Sequence, residues 1–246
     1  MTSDGATHSR TVAALPRWAW LWFPPVLLLV ILPVRLLDPQ AYSTWVDGEL
    51  GLIELLTPLL AGAGAVVGLR LVLAMRRAEA GRALTVWVAL VTLACVYFAG
   101  EELSWGQHLF GWETPESIGR LNDQRETNLH NVSSWFDQKP RLLLELWVLI
   151  GGVVIPLRER VTATRWRSDG LAWWFWPAVE CLPCGVLAIA VRLPERIKDV
   201  AGLESLPLEI RYSEPQEYYF ALFLLLYLAA FRRRFERAGG RGARRP

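Results

Sequence analysis

"ALTVWVALVTLACVYFAGEELSWGQH", residues 83–108, carries no charge from Ala83 to Gly100 and then sets Glu101 and Glu102 side by side. A membrane-spanning helix needs about 20 mostly apolar residues. Residues 83–103 therefore read as a span that ends in a pair of carboxylates at headgroup depth. Residues 18–37, 52–72, 142–157, 171–193 and 218–231 read the same way, the fourth and sixth runs of the chain being short. With no water in the hydrocarbon to satisfy open backbone, this pattern predicts an all-α, polytopic transmembrane helical bundle of about six spans. It forms a single domain over residues 1–231, with a polar amino-terminal tail over 1–16.

Composition points the same way. Hydrophobic residues make up 53% of the 246, and the 20% that are charged cluster between the apolar runs, as loops do between spans. A net charge of +2 gives no bulk attraction to nucleic acid, so none is expected as a partner. The three cysteines, Cys95, Cys181 and Cys184, all fall inside predicted spans and imply no disulfide framework. "CLPC" (181–184) has redox-motif spacing but lies in a span, where buried structural thiols are expected. "GAGAVVG" (62–68) is a small-residue stripe suited to close helix packing, and "NVS" (131–133) is a glycosylation-type triplet of a kind common by chance. There is no phosphate-binding loop, no H-E-x-x-H motif, no nucleophile elbow and no internal repeat.

The arginines set the orientation. Arg10 and Arg17, then Arg76, Arg77 and Arg82, then Arg158, Arg160, Arg165 and Arg167, and finally the tail from Arg232, all fall on one side of a six-span chain. The positive-inside rule makes that side the cytoplasm, so both termini are expected there, in a bacterial inner membrane. Pro24, Pro25 and Pro33 favour a retained first span over a cleaved signal peptide. Residues 232–246, rich in Gly and Arg, are expected to be a disordered basic tail beside anionic lipid.

The chemistry-bearing residues gather in the connection after the third span. If that helix continues past Gly100, then at about 100° per residue Glu101, Ser104 and His108 share a narrow face with Trp105 beside them, and Glu102 points away. Residues 122–135 read as a short amphipathic helix in the outer loop, with Glu126 and His130 at i and i+4. Apart from His8, the histidines of the chain are these two. Imidazoles and carboxylates so disposed can hold a divalent metal, zinc, iron or manganese, or form an acid/base pair. The expected ligands are His108, Glu126 and His130, with Glu101 or Glu102 as a further ligand or general base and Ser104 as an orienting hydroxyl. Glu49, Glu54 and Glu145 lie at similar depth and read first as interfacial or arginine-paired, whereas Glu180 lies deeper. An ionisable group inside a span costs roughly 2.5–3.5 kcal/mol on insertion scales and so faces a partner or a cavity. The structural alternative for the whole motif is a hydrogen-bond network that staples the loop to the bundle.

At E-E-L-S-W-G-Q (101–107) and E-T-N-L-H-N (126–131) the chain resembles an uncharacterised family of bacterial multi-pass membrane proteins, a likeness that implies one module but no activity. Ser104 and His108 also resemble, as S-x-x-x-H, a helix of the alkaline ceramidases and their adiponectin-receptor relatives, which are membrane-embedded zinc amide hydrolases. Those proteins add an H-x-x-x-H pair late in the chain, where this one has Glu126-x-x-x-His130 early. The resemblance implies a metal-dependent hydrolase or transferase acting on a lipid or lipid-linked substrate, with membrane lipids as partners. The competing expectation is a non-enzymatic transporter or envelope-assembly protein.

Overall fold

The computed structural model describes residues 15–47, 51–114, 116, 134–162, 170–205, 208 and 210–239, with the side chains of 108, 109 and 134–137 outside that description. The fold is an all-α bundle with no strand among the described residues. A π-helical turn at Trp18–Trp22 leads into α1 (Phe23–Leu37), then α2 (Pro39–Trp45), α3 (Leu52–Arg77) and α4 (Arg82–Glu102). A 3₁₀ turn at Ser104–Gly106 precedes α5 (Gln107–Phe110). Next come α6 (Ser134–Trp147), a π-helical stretch at Val148–Val154, and α7 (Ile155–Thr162). After α8 (Gly170–Phe175) and a 3₁₀ turn at Val179–Cys181 follow α9 (Leu182–Ala190), α10 (Leu193–Ala201) and α11 (Ser213–Arg237).

Five segments are long and apolar enough to cross a membrane: Trp18–Leu37, Leu52–Arg77, Arg82–Glu102, Gln138–Thr162 and Gly170–Ala201. Their outward faces carry Leu29, Leu59, Leu93 and Leu143, all more than half exposed. Large apolar side chains on the outside of a bundle are lipid-facing, and the chain is a multi-pass membrane protein.

The sixth expected span falls in α11, which is not among those five. Its apolar part carries charge at both ends, yet it is the most enclosed helix of the bundle. Tyr219, Phe223, Tyr227 and Phe231 are fully buried, and so are Ala221, Leu222 and Leu228 between them. A helix apolar on every side belongs in the middle of a packed layer, and α11 lies along α3 and α9. Residues 232–237 extend this helix instead of opening a disordered tail. Arg234 donates from Nη1 to the Trp173 carbonyl at 2.8 Å and stacks over the Trp173 ring, while Arg232 pairs with Glu236 one turn on. Cations in a last helical turn also complement the helix dipole. Residues 240–246 lie outside the described residues.

The small-residue stripe packs as expected in part. A β-carbon on Gly68 would come within 2.2 Å of Thr92 Oγ1, and one on Gly64 within 3.1 Å of Cys95 Sγ, so α3 and α4 approach through these glycines. Gly62 has open space around it. On α6 and its π stretch, Gly151 abuts Trp176 and Gly152 abuts Phe223. Pro156 has no N–H to give the carbonyl four residues back, which is consistent with the widened turn before it.

The fifth span is not one helix. Pro177 cannot continue the hydrogen-bond ladder and disfavours helical backbone before it, and the chain breaks between α8 and the 3₁₀ turn. Glu180 sits at this break, 3% exposed. Cys181 and Cys184 are buried free thiols, Cys184 donating to the Tyr219 carbonyl at 3.3 Å. They are packing groups, as their placement in a span suggested.

Tyr227 ties three helices at one point. Trp87 Nε1 donates to its hydroxyl at 2.6 Å, and that hydroxyl donates to the Phe175 carbonyl at 3.0 Å. Tyr227→Phe takes the shared hydroxyl from two part-buried partners and should destabilise the bundle by about 1–3 kcal/mol, measured as a shift in the denaturant midpoint. An unchanged midpoint would mean that the two partners are satisfied elsewhere.

Candidate functional site

Helix α4 ends at Glu102, not at His108. Ser104 and Trp105 take φ of 45° and 55°, and Gly106 follows at 102°. L-residues rarely adopt such backbone, at a cost of roughly 1–2 kcal/mol each, so tertiary structure must hold it. The holder is visible. The Trp105 indole folds back over Gly100, where a β-carbon would stand 3.0 Å from the ring, and its Nε1 donates to Glu101 Oε1 at 2.6 Å. Tyr97 meets the same ring edge to face, with centroids 6.4 Å apart. The reversal breaks the continuous helix on which Glu101, Ser104 and His108 were expected to share a face. Ser104 is buried within the turn, 1% exposed, and does not line the cavity described next.

Both glutamates do line it. Between α4, α6 and α11 lies a cavity of about 210 Å³. Helix α4 contributes Ala94, Tyr97, Phe98, Glu101 and Glu102; α6 contributes Pro140, Arg141 and Leu144; α11 contributes Glu217, Phe220 and Leu224. The order along each helix gives the cavity two ends. At one end stand Glu101, Glu102, Arg141 and Glu217, and from there the lining becomes wholly aromatic and aliphatic. Glu217 and Leu224 are two helical turns apart, so the apolar part reaches about 10 Å into the bundle. Apolar-lined space of this order stays dry and takes up hydrocarbon, so the aromatic and aliphatic part of the cavity favours a hydrocarbon group over water.

Arg141 joins α6 to α11. Its Nη1 lies 2.9 Å from Glu217 Oε1, and its Nη2 donates to Gln216 Oε1 at 3.0 Å and to the Ser213 carbonyl at 3.3 Å. Gln216, 1% exposed, passes its own amide to the Ala188 carbonyl of α9 at 3.2 Å. Glu102 sits among like charges, with Glu54, Glu214 and Glu217 all close enough to act on it and Arg141 as the opposing cation. Arg211 extends the network, 2.8 Å from Glu214 and 3.7 Å from Asp47. In the connection after the first span, burial pushes the Asp47 carboxyl above its ordinary range while Arg211 pulls the other way. Burial, with Asp47 next, pushes Tyr42 up to about 12. Glu145 forms an ion pair with Arg196 of α10, the arginine-paired reading of that residue.

The structure thus brings Glu101 and Glu102 together with Arg141 and Glu217, which sequence reading did not single out. Residues 141 and 217 stand 76 positions apart, and nothing local marks them as partners. The signal available was chemical: an arginine one residue after Pro140, and an acid immediately before the apolar run of the last helix. Of the three expected metal ligands, the side chain of His108 and the whole of Glu126 and His130 lie outside the described residues, as do residues 122–133 of the loop helix expected over 122–135, the triplet at 131–133 and Glu49; Ser134 and Trp135 open α6. Among the described residues no group of three or more His, Cys, Asp or Glu side chains is placed to hold a metal ion. Chemically, the described part of the site can receive an apolar chain and present carboxylates to whatever that chain carries. No protein-family model, curated protein or solved structure matches the chain.

Proposed function

We propose that this protein is a membrane enzyme, a hydrolase or transferase, that takes a lipid or lipid-linked substrate into the cavity between α4, α6 and α11. The observation that carries the reading is the cavity's division into a hydrocarbon-lined part and a carboxylate end. Amphiphiles have the same division. Glu101 and Glu102 are the acid/base candidates, with Trp105 fixing the Glu101 carboxylate through its indole N–H. The reaction proposed for them is assisted by a divalent metal, zinc, iron or manganese, bound by His108, Glu126 and His130; the types and spacing of those residues support it. The positive-inside distribution of arginine supports an inner-membrane location with cytoplasmic termini, which sets the carboxylate end at the outer leaflet.

The test is a lipid-turnover assay with the protein in nanodiscs of natural lipid, including a trace of lipid with a photoreactive tail. Wild type should generate new lipid species by mass spectrometry, and Glu101→Gln and Glu102→Gln should lower the rate at least about 100-fold. The photoreactive tail should label Phe98, Leu144 or Phe220. Metal analysis of the same preparation should find a divalent ion that is lost with His108→Ala and His130→Ala. Labelling of the cavity with no lipid turnover would favour the transporter or assembly alternative. Labelling spread evenly over the lipid-facing belt would overturn the reading.

A further inference from the structure

We infer that the substrate's head group is a hydrogen-bond donor without negative charge, a hydroxyl or an ammonium, and that Glu102 is the residue that selects it. The inference rests on the amphiphile reading of the cavity and adds the chemistry of the end that meets the head group.

The cavity holds a cation, but that cation is already committed. Arg141 directs Nη1 to Glu217 and Nη2 to Gln216 and the Ser213 carbonyl, so its donors point along α11 and into the network that joins the helices. It does not stand as an open guanidinium for a phosphate. Glu102 is in the opposite condition. It lines the cavity, it is half-buried, and the side-chain hydrogen bonds and ion pairs among the described residues do not include it. A carboxylate that faces a largely apolar cavity with no protein donor is poorly solvated, and a ligand that brings a donor supplies what the site lacks. A ligand that brings a second anion meets Glu101 and Glu217 as well as Glu102 at the cavity wall, with Glu54 and Glu214 adding negative charge from outside the lining. Like charges so placed reject the wrong partner, which is where electrostatic complementarity contributes most.

The experiment is competition against the photoreactive tail lipid in nanodiscs at neutral pH, with three single-chain amphiphiles of equal tail length and matched mole fraction: decylamine, decyl glucoside and decyl phosphate. In wild type, decylamine and decyl glucoside should each displace the label at a mole fraction at least about tenfold below decyl phosphate. Glu102→Ala should narrow that gap to less than about twofold, whereas Glu102→Asp, which retains the carboxylate, should keep most of it. Both variants should melt within a few degrees of wild type, because Glu102 holds no other element in place. Decyl phosphate competing as well as the other two in wild type would overturn the inference and leave the amphiphile site standing. So would a gap that survives Glu102→Ala. Failure of all three to displace the label, with labelling also unaffected by Leu144→Trp, which fills the cavity, would overturn the amphiphile reading itself and the inference with it.

Discussion

Gly68→Ala should destabilise the bundle by about 1–3 kcal/mol, although the same change in an open helix would stabilise it by up to about 1 kcal/mol. The sign is set by Thr92 on the facing helix. A β-carbon at Gly68 would lie 2.2 Å from Thr92 Oγ1, 3.1 Å from Cγ2 and 3.0 Å from Cβ, distances that side chains do not tolerate. Thr92 cannot simply turn away, because its hydroxyl donates to the Val88 carbonyl at 2.7 Å and the residue is 8% exposed. Either α3 and α4 separate locally or that hydrogen bond is lost. Thr92→Ala in the Gly68→Ala background should recover about half of the loss, since it removes Oγ1, by far the nearest atom, and Cγ2 but leaves the β-carbon at 3.0 Å. Gly62→Ala is the internal control. It lies on the same stripe with nothing within 4 Å, and it should be neutral or stabilising. The measurement is the unfolding midpoint of all four proteins in one detergent titration, and equal effects at positions 62 and 68 would show that the stripe does not set the helix separation.

That contrast marks what can be read from a sequence. Apolar length located the crossing helices, because hydrocarbon solvation is a property of the run itself. The stripe announced a close approach without saying which of its glycines would meet the neighbour, since that depends on how two helices are rotated against each other. Pro177 carried a local signal for the break in the fifth span, in a run whose apolarity alone suggested one helix. The reversal after Glu102 had none. Ser104 and Trp105 are not residues that favour positive φ, and the chain takes that shape because the Trp105 indole finds Gly100 and Glu101. Extending the helical period through the motif placed Glu101, Ser104 and His108 on one face of a helix that in fact stops at Glu102. The pair Glu101 and Glu102 was legible as a polar end to an apolar helix; Arg141 and Glu217 were not, because their meeting belongs to the packing of α6 on α11.

Arg141→Ala should cost about 2–4 kcal/mol, more than most single changes outside the apolar core, because it withdraws one group from three acceptors at once. Glu217, Gln216 and the Ser213 carbonyl all face that guanidinium, and Gln216 is buried. The upper end of the range for a fully buried pair does not apply, since Arg141 and Glu217 are 23% and 25% exposed and water can reach part of what is left. If the cost comes from a carboxylate stripped of its counter-charge, removing that carboxylate as well should restore stability. Arg141→Met with Glu217→Met should therefore lie within about 1 kcal/mol of wild type, as isosteric apolar replacements of enclosed ion pairs do. The two outcomes separate stability from recognition. The double variant keeps the hydrocarbon walls of Tyr97, Phe98, Leu144, Phe220 and Leu224 and keeps Glu102, so it should still accept a photoreactive tail and still prefer decyl glucoside to decyl phosphate. A double variant as unstable as Arg141→Ala would mean that Gln216 and the Ser213 carbonyl, not Glu217, carry the cost.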